Sequence, residues 1–73
     1  MQRYRVNPGT PAHVASVNDR ADWRPYQTKK LCEFDEPISR SRSQVTFRRG
    51  RWLLRVKPGD VRVHNGIRWQ PFK

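Results

Sequence analysis

Residues Gln44–Gln70, QVTFRRGRWLLRVKPGDVRVHNGIRWQ, decide the fold class. Four short runs alternate apolar and polar residues: Gln44–Phe47, Arg51–Val56, Val61–Val63 and Ile67–Gln70. Between them lie Arg49-Gly50, Pro58-Gly59 and Asn65-Gly66. Pro presets φ and Gly supplies a positive φ, so each dipeptide reads as a turn. A strand places successive side chains on opposite faces, so a two-residue period between turns predicts antiparallel hairpins.

Register can be tested against that period. A loop at Arg49-Gly50 pairs Phe47 with Trp52, and one at Pro58-Gly59 pairs Val56 with Val61. Both pairs are apolar. A two-residue loop at Asn65-Gly66 sets Val63 against Arg68, whereas a three-residue loop His64-Asn65-Gly66 sets it against Ile67. The latter keeps one face apolar and suits a type I turn followed by a left-handed Gly. The expected inward set is Val45, Phe47, Trp52, Leu54, Val56, Val61, Val63, Ile67 and Trp69. The expected outward set is Thr46, Arg48, Leu53, Arg55, Arg62, Arg68 and Gln70. One apolar and one solvated face argue for an antiparallel sheet.

Upstream the pattern is weaker. Tyr4–Val6 suits a short strand or an arm, and Asn7-Pro8-Gly9 a turn. Thr10-Pro11 suits a helix N-cap followed by Pro, with Val14 and Val17 on one helical face, so a short helix over Pro11–Asn18 is expected. A strand over His13–Val17 is the other option. Asp22–Pro25 reads as irregular, because the residue before Pro is restricted. Lys29–Phe34 alternates weakly, and Ser39–Ser43 reads as a polar linker. The expected fold is therefore mainly β: a small four-stranded antiparallel meander, with that N-terminal helix against its apolar face. An SH3-like barrel is the alternative architecture.

The chain has 73 residues, enough for one small domain with a thin core. It carries 16 Lys and Arg against 6 Asp and Glu, a net charge of +10. Residues 1–38 are nearly neutral, and the excess sits in the basic meander of residues 39–73. Arginine dominates the bases; genome composition can produce such a bias, but Arg also matches phosphate and carboxylate geometry. A charge this high attracts an anionic partner over long range.

Enzymatic chemistry finds no set of residues to carry it. Cys32 is followed by Glu33, Asp35 and Glu36, which disfavour a thiolate, so a structural cysteine is expected. His13 and His64 are isolated, and with Cys32 they match no zinc spacing. No Gly-rich phosphate loop is present. The reading is no catalysis, no metal and no cofactor. A single cysteine fits a reducing compartment. No apolar run approaches the ~20 residues of a membrane span, and Met1–Val6 is not an apolar leader. The expected location is the cytoplasm, with no membrane partner, as a monomer.

The partner-binding set expected from the strand period is Arg48, Arg49, Arg51, Leu53, Arg55, Arg62 and Arg68. Arg48, Arg55, Arg62 and Arg68 on one sheet face, with Arg49 and Arg51 at its rim, suit a nucleic-acid backbone. Trp52 and Trp69 are assigned to the core, which leaves phosphate contact rather than base stacking. An acidic protein is steered by the same charge, and Leu53 gives it an apolar point.

The opening Tyr4-Arg5-Val6-Asn7-Pro8-Gly9-Thr10-Pro11, with the length and the Arg-heavy composition, resembles the small bacteriophage transcription regulators of the Xanthomonas-phage type. That resemblance implies a non-enzymatic protein that binds bacterial RNA polymerase near the β′ amino-terminal region and interferes with the σ factor. It further implies inhibition of initiation and promotion of antitermination in the host cytoplasm. A sequence-nonspecific DNA- or RNA-binding protein using the Arg-rich face is the alternative.

Overall fold

The alternation in the sequence is realised as strands stacked in two layers. The computed structural model describes residues 3–72. In chain order the strands are β1 (Arg3–Val6), β2 (Pro11–Ser16), β3 (Asp19–Gln27), β4 (Cys32–Phe34), β5 (Ser39–Arg40), β6 (Val45–Arg49), β7 (Trp52–Val56), β8 (Val61–His64) and β9 (Trp69–Pro71). They form a four-stranded sheet, β4-β1-β8-β9, and a five-stranded sheet, β3-β2-β7-β6-β5. Every pairing is antiparallel.

The core lies between the sheets. Tyr4, Val6, Phe34, Val61 and Val63 from one sheet meet Ala12, Val45, Phe47, Leu54 and Val56 from the other. Phe47 stacks on Phe34 with ring centroids 4.3 Å apart, and Tyr4 packs between Phe47 and Phe72 at 6.0 and 5.8 Å. Burying each such side chain contributes about 1.5–3 kcal/mol, so this aromatic group supplies much of what a chain this small can gather.

The C-terminal runs are all strands, but they do not form one meander. β6 and β7 lie in the five-stranded sheet, β8 and β9 in the other. Val56 and Val61 are both buried, yet not as a hairpin pair. Pro58–Asp60 forms a single 3-10 turn, with Asp60 N–H donating to the Lys57 carbonyl at 3.0 Å, and carries the chain from one sheet to the other. Pro58 is buried there and has no N–H to give a ladder. The barrel alternative is not realised, because no strand pairing joins the two sheets among the described residues.

Two registers differ from expectation. Phe47 pairs with Leu54, and Arg49 with Trp52, across a turn at Gly50-Arg51 where Gly50 has φ +60°. This shift of two keeps Phe47, Leu54 and Val56 inward but leaves Trp52 at the open end, 55% exposed. At the other hairpin His64 pairs with Trp69 and Val63 with Gln70. The Asn65 side chain accepts from the backbone N–H of Ile67 and Arg68, at 2.9 and 3.0 Å. That Asx-type turn lengthens the loop, and Ile67 sits in it 87% exposed.

The N-terminal helix is absent: no α-helix occurs among the described residues. The segment is β2, paired on both sides, so that Val14 sits opposite both Arg24 and Leu54. The Thr10 hydroxyl donates back to the Asn7 carbonyl at 2.7 Å rather than capping a helix. Thr28 locks the same crossing. Its hydroxyl donates to the Asn7 carbonyl at 2.7 Å and accepts from Thr10 N–H at 2.9 Å, with only 2% of the residue exposed. Asp22–Pro25, expected as irregular, lies inside β3. Pro25 is tolerated because β3 is an edge strand, and Pro11 because it opens β2. No helix is long and apolar enough to cross a membrane among the described residues.

Candidate functional site

The two-layer fold gives arginines two outer faces rather than one. Of the expected set, Arg48 and Arg55 lie on the outer face of the five-stranded sheet, opposite the inward Phe47, Leu54 and Val56. Arg62 lies on the outer face of the other sheet, between the inward Val61 and Val63. Arg51 is in the β6–β7 turn and Arg68 in the β8–β9 loop. Arg49 turns to the core side, with its guanidinium 4.9 Å from the Phe34 ring centroid. Leu53 offers no apolar surface point: it is 2% exposed, set opposite Ala15 of β2, which is buried to the same degree.

On the outer face of the four-stranded sheet, Arg62 meets a residue from outside the C-terminal stretch. Arg5 lies between the inward Tyr4 and Val6, and so points outward. It is in direct register with Arg62 on β8. Like charges directly opposite on paired strands repel. Glu33 is opposite Arg5 on the other side, but its carboxylate is engaged by Arg3. Arg62 donates to the Gly59 carbonyl at 3.2 Å, and the buried Nε of Arg5 has no hydrogen-bond partner.

What holds Arg5 in place is Trp69. The guanidinium carbon lies 4.2 Å from the ring centroid, and Trp69 in turn meets His64 edge-on at 5.1 Å. A cation over an indole face gains about 0.5–2 kcal/mol, more as it is desolvated. The outer face of the five-stranded sheet repeats the device. Arg55 stacks 3.7 Å from the Trp23 ring centroid, again with a buried, unbonded Nε. Each guanidinium is held against a ring.

Arg5, Trp69, His64 and Trp23 lie outside the set expected from the strand period. Arg5 is legible in the sequence: the period-two pattern of Tyr4-Arg5-Val6 places it opposite two core residues. Trp69 is hidden by the register at Asn65-Gly66, where a longer loop reverses its face. Nothing local in Trp23 announces its partner, since Arg55 comes from a strand 32 positions away in the sequence.

Cys32 is half-buried, and its thiol donates to the Lys30 carbonyl at 3.4 Å. Comparison with protein-family models, with curated proteins and with solved structures gives no match.

Proposed function

We propose that this chain is a non-enzymatic binding protein that takes the backbone of a nucleic acid on the outer face of its four-stranded sheet. The observation that carries this reading is the registered pair Arg5 and Arg62, like charges opposite one another, with the Arg5 guanidinium held against the Trp69 ring. A phosphate placed between them relieves the repulsion and meets bidentate donors at a fixed geometry. Arg68 in the adjoining loop extends the basic surface. Because these contacts are to phosphate, binding is independent of base sequence.

The test is a titration of the protein against duplex and single-stranded oligonucleotides over a range of salt. Affinity falls by roughly 0.9 log units per log unit of salt for each duplex phosphate contact. No binding at low salt, or a flat salt dependence, overturns the reading.

A second reading is that the chain is a phage-type regulator that binds bacterial RNA polymerase, inhibits initiation and promotes antitermination. The resemblance of residues Tyr4–Pro11 supplies the polymerase. The partial exposure of Trp52 and Tyr26 beside Arg49 favours a protein partner, since Trp, Tyr and Arg are the usual anchors of interfaces. Capture of purified polymerase at low salt, in the presence of nuclease, supports it. Failure of that capture ends it and leaves the nucleic-acid reading untouched.

A further inference from the structure

The five-stranded sheet is wider than the layer stacked on it. Beside β4, the edge strand of the four-stranded sheet, part of its inner face is left uncovered. There a groove of about 360 Å³ is lined by Val14, Tyr26, Cys32, Phe34, Trp52 and Leu54. Tyr26 is 42% exposed and Trp52 55%, although both come from the inner face of their sheet. Arg49 stands at the mouth. It lies over the Phe34 ring and donates to the Glu33 backbone carbonyl, which leaves its other N–H groups for an incoming acceptor.

The charge around the groove selects its occupant. Arg51 lies in the turn next to Trp52, and Lys29 and Lys30 lead into β4. Asp22 is held by Arg24 at 3.1 Å, and Asp35 and Glu36 lie by Phe34 and Arg49 in an adjoining hollow, so the bases Arg24, Lys29, Lys30, Arg49 and Arg51 outnumber the acids around the groove. A second copy of a chain with net charge +10 is repelled. The lining is carbon-rich and has little to pair with base edges, so a nucleic-acid strand gains only stacking there. An apolar side chain flanked by carboxylates satisfies both the lining and the rim.

We propose that this groove docks a short segment of another protein, in which an aromatic or branched aliphatic residue lies beside Asp or Glu. The apolar side chain packs against Tyr26, Trp52 and Leu54, and the carboxylate meets Arg49. This goes beyond the nucleic-acid reading and uses different residues.

The test is selection from a displayed random-peptide library on the immobilised protein, with nucleic acid removed. Selected peptides are expected to combine an apolar residue with neighbouring acids. Their affinity is expected to fall at least tenfold for Trp52→Ala and for Tyr26→Ala, and severalfold for Arg49→Gln. All three positions border solvent, and circular dichroism reports whether the variants keep the fold. Arg5→Gln with Arg62→Gln is expected to leave peptide binding unchanged, which separates this proposal from the nucleic-acid reading. No enrichment, or enrichment of purely acidic peptides, overturns it. So do peptides that bind Trp52→Ala as well as the parent. Two further results overturn it: a dimer in sedimentation that Trp52→Ala dissolves, which assigns the groove to a second copy, or oligonucleotide binding lost in Trp52→Ala, which assigns it to nucleic acid.

Discussion

At the residue scale, aromatic and basic side chains serve opposite ends according to the face they occupy. Phe47 is fully buried between Phe34 and Tyr4, and Phe47→Ala is expected to cost about 3–5 kcal/mol, read as a lowered denaturation midpoint. Trp52 belongs to the core by its place in the alternation, yet its position at the open end makes Trp52→Ala a surface change. Its expected cost is about 1 kcal/mol or less, and equilibrium unfolding distinguishes the two cases directly. Arg5 and Arg62 are the third case. Each sits on a strand interior, on the outer face, opposite the other. Changing both to Gln removes a repulsion and two phosphate donors. Relief of the repulsion offsets part of the lost Arg5–Trp69 contact, so stability is expected to fall by no more than about 2 kcal/mol, while the salt slope of oligonucleotide binding drops by about 0.9 for each phosphate no longer held. A variant that unfolds, or that binds with the parent slope, contradicts the proposed site.

At the element scale, turns are easy to locate in the sequence and hard to interpret. Gly50, Pro58-Gly59 and Asn65-Gly66 all lie at chain reversals or crossings, as their chemistry requires. What they do not reveal is whether the strands on either side pair. Pro58–Asp60 links two sheets, and the apolar match of Val56 with Val61 is equally consistent with a hairpin or a sandwich. The alternation in the C-terminal half therefore yields the strands and most of the core, including Val45, Phe47, Leu54, Val56, Val61 and Val63. β2 and β3 are obscure because their pattern is ambiguous: Val14 and Val17 fit a helical face, and only pairing with the distant β7 decides against it. Two elements can be tested by substitution. Gly50 holds φ +60° in the β6–β7 turn, and a Cβ there would meet open space, so strain rather than collision opposes a side chain. Gly50→Ala is expected to destabilise by about 1 kcal/mol or more. Thr28→Val leaves the Thr10 N–H without its buried acceptor, and an expected loss of about 1–3 kcal/mol is read from the same unfolding curves.

At the scale of the whole molecule, charge and size set each other's consequences. The chain holds a net charge of +10 within extents of 37 × 23 × 23 Å. At about 0.01 M salt the Debye length is ~30 Å, so nearly every pair of charges acts across the molecule. At about 0.15 M it is ~8 Å, and only neighbours do. Among the described residues the side-chain ion pairs are Arg3 with Glu33 and Arg24 with Asp22, both exposed, so screening removes little attraction. It removes much more repulsion, including that between Arg5 and Arg62. Thermal stability is therefore expected to rise as salt increases over this range, the reverse of a fold held by surface ion pairs. Oligonucleotide affinity is expected to fall over the same range, because there the positive charges are attracted to their partner. Melting curves and binding titrations in matched buffers check the two slopes together. Opposite signs mean that the net positive charge both strains the free fold and draws the ligand. A melting temperature that falls with salt means that attraction between charges outweighs repulsion in the free protein, and the basis for an anion-seeking surface is lost.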